Sequence, residues 1–241
     1  MTTHKLPKGK LYLLPAPLGE GGETAVPDYA VAQMRQLTFF VVERSKTARR
    51  WLKFLQHPTP QNQLHVEELN DQTPPSEWQN FLAPAENGND IGLLSEAGCP
   101  AIADPGAELV RLAHEKGIEV VPLVGPSSIL LALMASGMNG QRFCFHGYLP
   151  VKPPELAAAL RDLEQQSQQT KQTQIFIETP YRNNSFVETA LKTLSPNTRF
   201  CIAADLTLPT EYIVSGTVQS FRNKTLQELH KRPAIFLLLK S

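Results

Sequence analysis

The sequence has no excess of charge of either sign. Lys and Arg together number 23, as do Asp and Glu, so the net charge at pH 7 is zero. A neutral chain exerts no overall electrostatic attraction on nucleic acid or on an anionic membrane. A net charge of zero still allows a local basic patch that binds either partner, so a nucleic-acid interface would be recognised by where the Lys and Arg residues cluster.

Cysteine is scarce and dispersed. The three cysteines, Cys99, Cys144 and Cys201, are far apart and form no Cys-x-x-Cys pair. This pattern indicates neither a disulfide framework nor a structural metal site, and the six histidines show no ligand spacing. We therefore expect no bound metal and a reducing compartment.

Long apolar runs are also missing. The longest, Ile129–Ala135 and Ile235–Leu239, are too short to cross a bilayer. The first ten residues, MTTHKLPKGK, contain no apolar segment typical of a secretory signal. We expect a soluble cytoplasmic protein with no membrane partner.

What the sequence does contain is centred on the stretch Leu93–Ser128. An apolar run ends at Ser95-Glu96, and a loop rich in Gly and Pro leads to a helical pattern at Ala107–Lys116. A second apolar run, Ile118–Leu123, ends in Gly125-Pro126-Ser127-Ser128. In a parallel sheet both turns lie at the carboxyl ends of strands, where open α/β sheets bind ligands. The plain alternative is a pair of ordinary connecting loops, which are often rich in these residues.

The first apolar run also ends in a loop suited to a ligand. Lys10–Leu14 reads as a buried strand, and Pro15–Gly22 follows with three glycines and two prolines. Glycine lets a backbone approach a ligand closely. The loop is neither a phosphate-binding Walker loop nor a dinucleotide fingerprint, because the required Gly-Lys-Ser/Thr and glycine spacing are absent. A flexible turn is the other interpretation.

Basic residues concentrate on one predicted helix. A strand at Thr38–Val42 ends in Glu43-Arg44-Ser45, where Ser45 is a suitable N-cap for a helix at Lys46–Leu55. Four cations in eight residues could face a phosphate backbone, although such runs are more often solvated helix faces. They are Lys46, Arg49, Arg50 and Lys53.

The order of the predicted elements divides the chain into two α/β domains. Strands and helices alternate through residues 1–124, which favours a mostly parallel sheet. In this domain, Ser76-Glu77-Trp78-Gln79 fits a capping box at the start of a helix. Residues 125–241 indicate a second α/β domain with a mixed sheet.

Three features of the second half complete the predicted elements. The apolar helix Ile129–Ser136 is expected to be buried between layers. Strands on either side of Ser215-Gly216 are expected to form a hairpin-like pair, and Leu226–His230 is expected to be a short helix.

Five segments in register resemble the tetrapyrrole-methylase superfamily of S-adenosylmethionine-dependent methyltransferases. The resemblance covers nearly the whole chain, and the most similar branch methylates a ribose 2′-hydroxyl in small-subunit ribosomal RNA. The matching segments are LYLLPAPLG, LLSEAGCPAIADPG, VVPLVGPSS, RFCFHGYLP and IETPYR.

The resemblance implies two α/β domains of tetrapyrrole-methylase type with S-adenosylmethionine in the cleft between them, and a homodimer. Carried over by position, the cofactor-binding residues would be Pro15, Leu18, Gly19, Glu96, Cys99, Ser127, Ser128, Glu178, Thr179, Leu206 and Ala234.

The sequence departs from the ribosomal-RNA branch mainly in the segments expected to bind substrate. That branch usually has Glu-Asp-Thr-Arg where this chain has Glu43-Arg44-Ser45-Lys46, so only the glutamate is retained. An Arg-Glu-Leu-Thr-Lys run is replaced by Ala204–Leu208, with the loss of both cations, and the last strand follows Arg232-Pro233 in place of Gly-Glu. The small C-terminal extension of many relatives is not seen after Ser241. Cofactor binding is therefore predicted more firmly than the substrate.

Methyl transfer to a hydroxyl benefits from a positioned base, because the hydroxyl must lose its proton. Glu43 is the catalytic candidate, although a strand-end carboxylate of no special function fits it equally well. Glu96 is better explained as a cofactor acceptor, and Asp104 as a turn former before a proline. Arg44 and Arg182 are candidates to bind an anionic substrate, and a structural pair that holds the Glu178 turn is an equal alternative for Arg182.

Three hypotheses follow for function. The first is a methyltransferase that acts on RNA or a ribosomal subunit. The second is a methyltransferase of a small tetrapyrrole-like molecule, which the neutral charge, the lost cations and the missing extension favour somewhat. The third is a protein that binds S-adenosylmethionine without catalysis.

Overall fold

The computed structural model describes residues 7–240, which divide into a first unit that ends at Pro126 and a second that begins at Ser127. Each unit is an α/β structure with its own five-stranded sheet, which confirms the predicted fold class. The strands are β1 Leu11–Leu14, β2 Phe39–Val42, β3 His65–Glu68, β4 Ile91–Leu94, β5 Val120–Pro122, β6 Phe143–Tyr148, β7 Thr173–Ile177, β8 Arg199–Ala204, β9 Tyr212–Thr217 and β10 Ala234–Leu239. The α-helices are α1 Asp28–Met34, α2 Ser45–Phe54, α3 Ala83–Glu86, α4 Ala107–Glu115, α5 Ser128–Ser136, α6 Pro153–Thr170, α7 Asn183–Thr193 and α8 Val218–Arg222.

The sheet of the first unit is entirely parallel, in the order β3-β2-β4-β1-β5. Its central strand β4 is buried at every residue, as expected of parallel strands covered on both faces. Along β2, Phe40 and Val42 pack into a core with α1 and α2, whereas Val41 packs into a second core with α3 and α4.

The connections of this sheet reverse direction between two neighbouring strands. The chain leaves β1 toward β2 on one side and leaves β4 toward β5 on the other. Right-handed crossovers in opposite directions place their helices on opposite faces. The carboxyl ends of β1 and β4 therefore form a topological switch point, the usual ligand site of open α/β sheets.

The sheet of the second unit is mixed, in the order β6-β7-β10-β8-β9. Only β6 and β7 are parallel, and β10 is antiparallel to both β7 and β8. One face carries an aromatic core with α6 and α7, in which Phe176, Phe186, Phe200 and Phe236 are fully or almost fully buried. The opposite face is covered by α5.

Two predicted caps of the first unit are wrong. Ser45 is the first residue of α2 rather than its N-cap, because its N–H donates to Glu68 Oε1 at 2.7 Å and Arg44 takes the cap position. A carboxylate suits this end of a helix, and the hydrogen bond from Ser45 lowers the pKa of Glu68. The predicted capping box at Ser76–Gln79 gives instead short 3₁₀ turns and the single turn α3, where prolines interrupt helical hydrogen bonding.

Two further elements of the second unit were predicted wrongly. No hairpin forms at Ser215-Gly216, because β9 continues through both residues and Thr217 then caps α8 with a hydrogen bond from the Ser220 N–H. Leu226–His230 is not helical. Its backbone is held by side chains of α7, as Leu229 donates to Asn184 Oδ1 at 3.1 Å and accepts from Asn183 Nδ2 at 3.2 Å.

The apolar helix α5 was predicted to be buried between layers, but the structure buries it on one side only. It packs on its own sheet through Ala132, Leu133 and Ser136, while Leu130 is half exposed and Met134 is 78% exposed. It ends as predicted at Gly137, whose left-handed φ of 67° is easily adopted by glycine. In the described part of the chain, no helix is long and apolar enough to span a membrane.

Candidate functional site

The loops after β1 and β4 are joined directly at the switch point. Ala16 N–H donates to Gly98 O at 2.8 Å, and Gly98 N–H donates to Ala16 O at 3.1 Å. The two predicted ligand loops therefore form one layer over the strand ends. Leu18 from the first loop contacts the second, because a Cβ on Gly98 would lie 3.2 Å from Leu18 Cδ2.

The turn after β5 packs against the same layer. A Cβ added to Gly125 would lie 2.0 Å from Pro15 Cβ, so only glycine fits there. The Cys99 thiol lies 3.5 Å from the carbonyl oxygen of Pro126. The structure thus brings together Pro15, Leu18 and Cys99, three of the predicted cofactor residues.

The loop between β4 and α4 has a strained backbone. Ala101 and Ala103 have φ angles of 65° and 61°, in the left-handed region that residues with a Cβ rarely adopt, and Gly106 has φ 128°. Each such alanine costs about 1–2 kcal/mol. Strain of this kind is maintained mainly at functional sites, which supports a role for the loop beyond connecting two elements.

Carboxylates gather beneath this loop. Glu43 follows β2, the other neighbour of β4, and its Oε2 accepts the Glu96 N–H at 3.4 Å. Partial burial is the main cause that raises the pKa of Glu43, and the charge of Glu96 adds to it. The nearest cation is Arg44, whose Nε lies 3.9 Å from Glu96 Oε2 and whose side chain is 72% exposed.

Asp104 belongs to the same cluster. Burial and the nearby charge of Glu43 raise its pKa to about 6, against a hydrogen bond from Ser95 that lowers it. The sequence interpretation of Asp104 as a turn former misses this proximity, because 61 residues separate it from Glu43. The three acids of the cluster can together attract a cation, and Asp104, with its pKa raised to about 6, can accept a proton near neutral pH.

A cavity of about 190 Å³ opens beside the acid cluster. Gly19 from the first loop and Ser95 and Glu96 from the second line one side, and residues of α2 line the other. The cavity therefore connects a predicted cofactor residue, Glu96, with the basic helix. Its complete lining is Ala16, Pro17, Gly19, Glu20, Glu23, Thr47, Ala48, Arg50, Trp51, Phe54, Leu94, Ser95 and Glu96.

In the second unit the predicted cofactor residues share one edge of the sheet. Glu178 and Thr179 follow β7, Leu206 follows β8, and Ala234 begins β10. Because β10 is antiparallel to both neighbours, its first residues lie beside their last ones, and the Asp205 N–H donates to the Pro233 carbonyl at 2.9 Å.

The first residues of α5 point toward this same edge. The other end of the helix lies at the start of β8, since a Cβ on Gly137 would be 3.4 Å from the Arg199 guanidinium. Ser127 is the N-cap and accepts the Leu130 N–H at 3.5 Å, and Ser128 is the first helical residue. Ser127 thus caps α5, a structural role in addition to the cofactor contact that the resemblance implies.

Glu178 and Arg182 form a buried ion pair within their own turn. The Glu178 side chain is only 3% exposed and accepts hydrogen bonds from the Thr179 N–H and from Arg182 Nε, the latter at 3.0 Å. This arrangement is the structural alternative considered for Arg182. The guanidinium that was a candidate to bind substrate is engaged by Glu178.

A second ion pair holds the loop that contains Leu206. Asp205 Oδ2 accepts from Arg232 Nε at 2.7 Å and from the Thr210 hydroxyl at 2.9 Å. Sequence reasoning missed this pair, although Arg232 lies at one departure from the family pattern and Asp205 within another. Both departures can be seen in the sequence, but only the fold shows that Asp205 and Arg232 form an ion pair.

Comparison with known proteins places the chain in a family. Residues 11–222 match the family model of the tetrapyrrole (corrin/porphyrin) methylases. The chain belongs to this family. It is an enzyme, a methyltransferase, and the expectation based on the five segments is confirmed.

Several curated relatives of this methyltransferase carry one name, ribosomal RNA small subunit methyltransferase I. The protein from Escherichia coli O157:H7 is 30% identical over 232 residues, 96% of this chain and 77% of that protein. The protein from Synechocystis is 31% identical over 212 residues, 88% of this chain and 72% of that protein. The crystal structure of the methyltransferase CobJ shares the fold, with a TM-score of 0.63, 18% identity, and coverage of 97% and 95% of the two chains.

The methyltransferase carries no evident metal centre in its described part. Among residues 7–240, no three His, Cys, Asp or Glu side chains are grouped so that they could hold an ion.

Proposed function

We propose that this methyltransferase uses S-adenosylmethionine to methylate ribosomal RNA, at a ribose 2′-hydroxyl. The observation that carries the proposal is the similarity to small-subunit ribosomal RNA methyltransferases along 96% of the chain. The carboxylate cluster at the strand ends supports it, because a hydroxyl acceptor needs a base and the enzyme has three acids in position.

The residues at the two sheet edges fit S-adenosylmethionine. The first unit offers the closely packed loops that carry Pro15, Leu18, Gly19 and Cys99, and acids that attract a sulfonium cation. The second offers Ser127, Ser128, Glu178, Thr179, Leu206 and Ala234 along one edge. When bound, S-adenosylmethionine supplies an activated methyl group, so the protein's own task is to orient the acceptor and to exclude water.

Glu43 is proposed as the catalytic base. Its carboxylate is half-buried and has a raised pKa. Oε2 accepts the Glu96 N–H, while Oε1 has no hydrogen-bond partner among the residues that the structure describes. A base of this kind holds the proton that the ribose hydroxyl loses and contributes typically about 10²–10⁴-fold to the rate. Asp104, whose pKa is raised to about 6, stands close enough to influence Glu43 by charge.

Arg44 is proposed to contact the RNA backbone. Its guanidinium is largely exposed, and its one ion-pair contact within residues 7–240 is a long one, at 3.9 Å to Glu96. A guanidinium in this state can pair with a phosphate in a forked geometry. Arg182, by contrast, stabilises the Glu178 turn and acts on substrate only indirectly.

The proposal is tested by incubating the enzyme with methyl-labelled S-adenosylmethionine and one of three acceptors. The acceptors are small ribosomal subunits, deproteinised ribosomal RNA and a mixture of porphyrinoid polycarboxylates. We expect label in RNA, resistant to mild alkali at the modified ribose. Label in the porphyrinoids alone would replace the proposal with methylation of a small molecule.

We also propose that the enzyme is a cytoplasmic homodimer. The support is the apolar surface on α5, where Met134 is 78% exposed and Leu130 half exposed, since contiguous exposed apolar residues commonly mark interfaces. Light scattering at micromolar concentration is expected to give twice the chain mass. Met134→Glu is expected to give the monomer mass. If this variant remains a dimer, the interface does not include this surface of α5.

A further inference from the structure

The cavity beside the acid cluster has an aromatic wall that the proposed chemistry does not use. Trp51 and Phe54 of α2 both line it, with ring centroids 5.6 Å apart and planes inclined by only 16°. Trp51 is buried, whereas Phe54 is 60% exposed. Phe54 therefore presents an exposed apolar ring beside the cavity, with Trp51 stacked against it, although an exposed phenylalanine is costly in water.

Cations share the helix face that carries this surface. Lys46, Arg50 and Phe54 are spaced four residues apart, so they form one stripe along α2. The Arg50 side chain is mostly exposed and lies 3.7 Å from Glu20, a weak surface contact. Lys46 is exposed as well. An anion that approaches the cavity meets these charges before it meets the rings.

The tryptophan also contributes an unsatisfied donor. Its Nε1 is buried and has no hydrogen-bond partner among the described residues. A buried donor without a partner is unfavourable in a folded protein. Because the indole N–H lies in the plane of the ring, an acceptor for it has to approach from the ring edge and not from a base stacked on the ring face.

We propose that the α2 cavity is a subsite for an unpaired nucleobase of the RNA substrate, which stacks on Phe54 next to Trp51 while Lys46 and Arg50 pair with the adjoining phosphates. The inference rests on the proposed function, because it assigns part of that substrate. Aromatic rings flanked by cations are the usual means of holding single-stranded RNA. Ser95 and Glu96 also line the cavity, so a nucleobase held here lies next to Glu96, whose N–H donates to the proposed catalytic base Glu43.

The stacking contact is tested by fluorescence, without any need for turnover. The chain has two tryptophans, so Trp78→Phe leaves Trp51 as the only emitter. A single-stranded octaribonucleotide of mixed sequence is expected to quench this emission. Adding Phe54→Leu, which keeps an apolar side chain but removes the ring, is expected to raise the dissociation constant for the octamer about tenfold or more.

Two matched variants separate stacking from other effects. Phe54→Tyr keeps an aromatic ring and is expected to bind the octamer within about twofold of the parent. Phe143→Leu alters an exposed aromatic residue outside the cavity and is also expected to change nothing. Equal affinity of the Phe54→Leu variant and its parent, or Trp51 emission that saturating octamer leaves unchanged, would overturn the subsite.

The role of the cations is tested by salt dependence. Lys46→Gln is expected to weaken octamer binding and to reduce the slope of log affinity against log salt by about 0.7, the value for one phosphate contact on a single strand. Phe54→Leu is expected to weaken binding with an unchanged slope. A Lys46→Gln slope equal to that of the parent would remove the phosphate contact from the proposal.

Methyl-transfer kinetics distinguish failure of the subsite from failure of the function. If the parent enzyme labels no RNA, the proposed function fails. If the parent labels RNA and Phe54→Leu has the same KM for RNA, only the subsite fails. The expected result is an RNA KM raised about tenfold, with the KM for S-adenosylmethionine unchanged because Phe54 is not among the proposed cofactor residues.

Discussion

The two sheet edges that carry the candidate residues treat their acids differently. In the first unit, Glu43 and Asp104 lie close together, partly buried and with raised pKa values. In the second, Glu178 and Asp205 are almost fully buried, and each is bound by an arginine, Arg182 or Arg232. Both edges follow strand ends of an α/β sheet, so the fold alone does not produce the difference.

The contrast separates acids available for chemistry from acids that maintain a loop. A carboxylate that accepts several charge-assisted hydrogen bonds is committed to its partners. A partly buried carboxylate near other acids gains from cation binding or protonation. We therefore assign the reaction to the first edge and a positioning role to the second, and the following predictions test that division.

The largest effect is expected from Glu43→Gln. Removing the proposed base should lower kcat by about 10²–10⁴-fold while the affinity for S-adenosylmethionine and the unfolding midpoint change little. In the parent, kcat should rise with pH through the raised pKa of Glu43, because the base must be ionised. Single-turnover methyl transfer across pH measures both effects.

A decrease of kcat below about threefold would mean that the base lies elsewhere in the cluster. Glu67→Gln, an exposed carboxylate on β3, is the matched control and should leave kcat unchanged.

The next effect is on stability, from Arg232→Met. The change leaves Asp205, which is 9% exposed, without its cation, and an unpaired buried charge costs about 3 kcal/mol. The double variant Asp205→Asn/Arg232→Met should recover part of this loss. Urea unfolding of the four members of the cycle measures the coupling, and a single-variant loss below about 0.5 kcal/mol would make this pair a surface contact.

A smaller and opposite effect is expected from Asp104→Asn. Folding raises the pKa of Asp104 from 3.8 to about 6. The contribution of the protonated carboxyl to the free energy of unfolding is therefore fully present below pH 4 and is lost as pH rises through 6. The asparagine amide does not ionise, so the variant avoids this loss. Its unfolding free energy at pH 7.5 should exceed that of the parent by about 1 kcal/mol, a value reduced for partial exposure.

Urea unfolding at pH 4.5 and 7.5 checks this prediction. The parent should lose stability between the two values by more than the variant does. Asp162→Asn, an exposed site on α6, should follow the parent, and an Asp104→Asn variant that also does so would place Asp104 outside the cluster.

The smallest effect is expected from Arg44→Gln. Its exposed, long contact with Glu96 should contribute less than about 0.5 kcal/mol to stability. The RNA KM should rise about three- to fivefold, with less dependence on salt, because one phosphate contact is lost. Unchanged RNA kinetics would leave Arg44 as a solvated side chain of the first edge.

The alternation of apolar runs and loops was enough to predict the parallel sheet and the positions of the loops after β1 and β4. Strands such as β4 are apolar throughout because both faces are covered. Glycine is required at position 98 by a left-handed φ of 73° and at position 125 by the closeness of the Pro15 ring. The Ser45 cap failed for a reason that a local pattern does not contain. Glu68, 23 residues away, supplies the acceptor.

The site was harder to predict than the fold because its electrostatics depend on contacts distant in sequence. Asp104 resembled a turn residue until the fold placed it near Glu43. The pair of Asp205 and Arg232 joins positions 27 residues apart. Sequence patterns locate the strand ends, but only the folded chain decides which acids there are paired with arginine.

The most direct test is the affinity of Glu96→Ala for S-adenosylmethionine, measured by calorimetry beside the parent and Glu67→Ala. If the first edge holds the reactive cofactor, Glu96→Ala should bind about 10- to 100-fold more weakly, the effect of losing a charged hydrogen-bond partner, with an unchanged unfolding midpoint. Equal affinity of Glu96→Ala, Glu67→Ala and the parent would contradict the assignment of the first edge to the reaction.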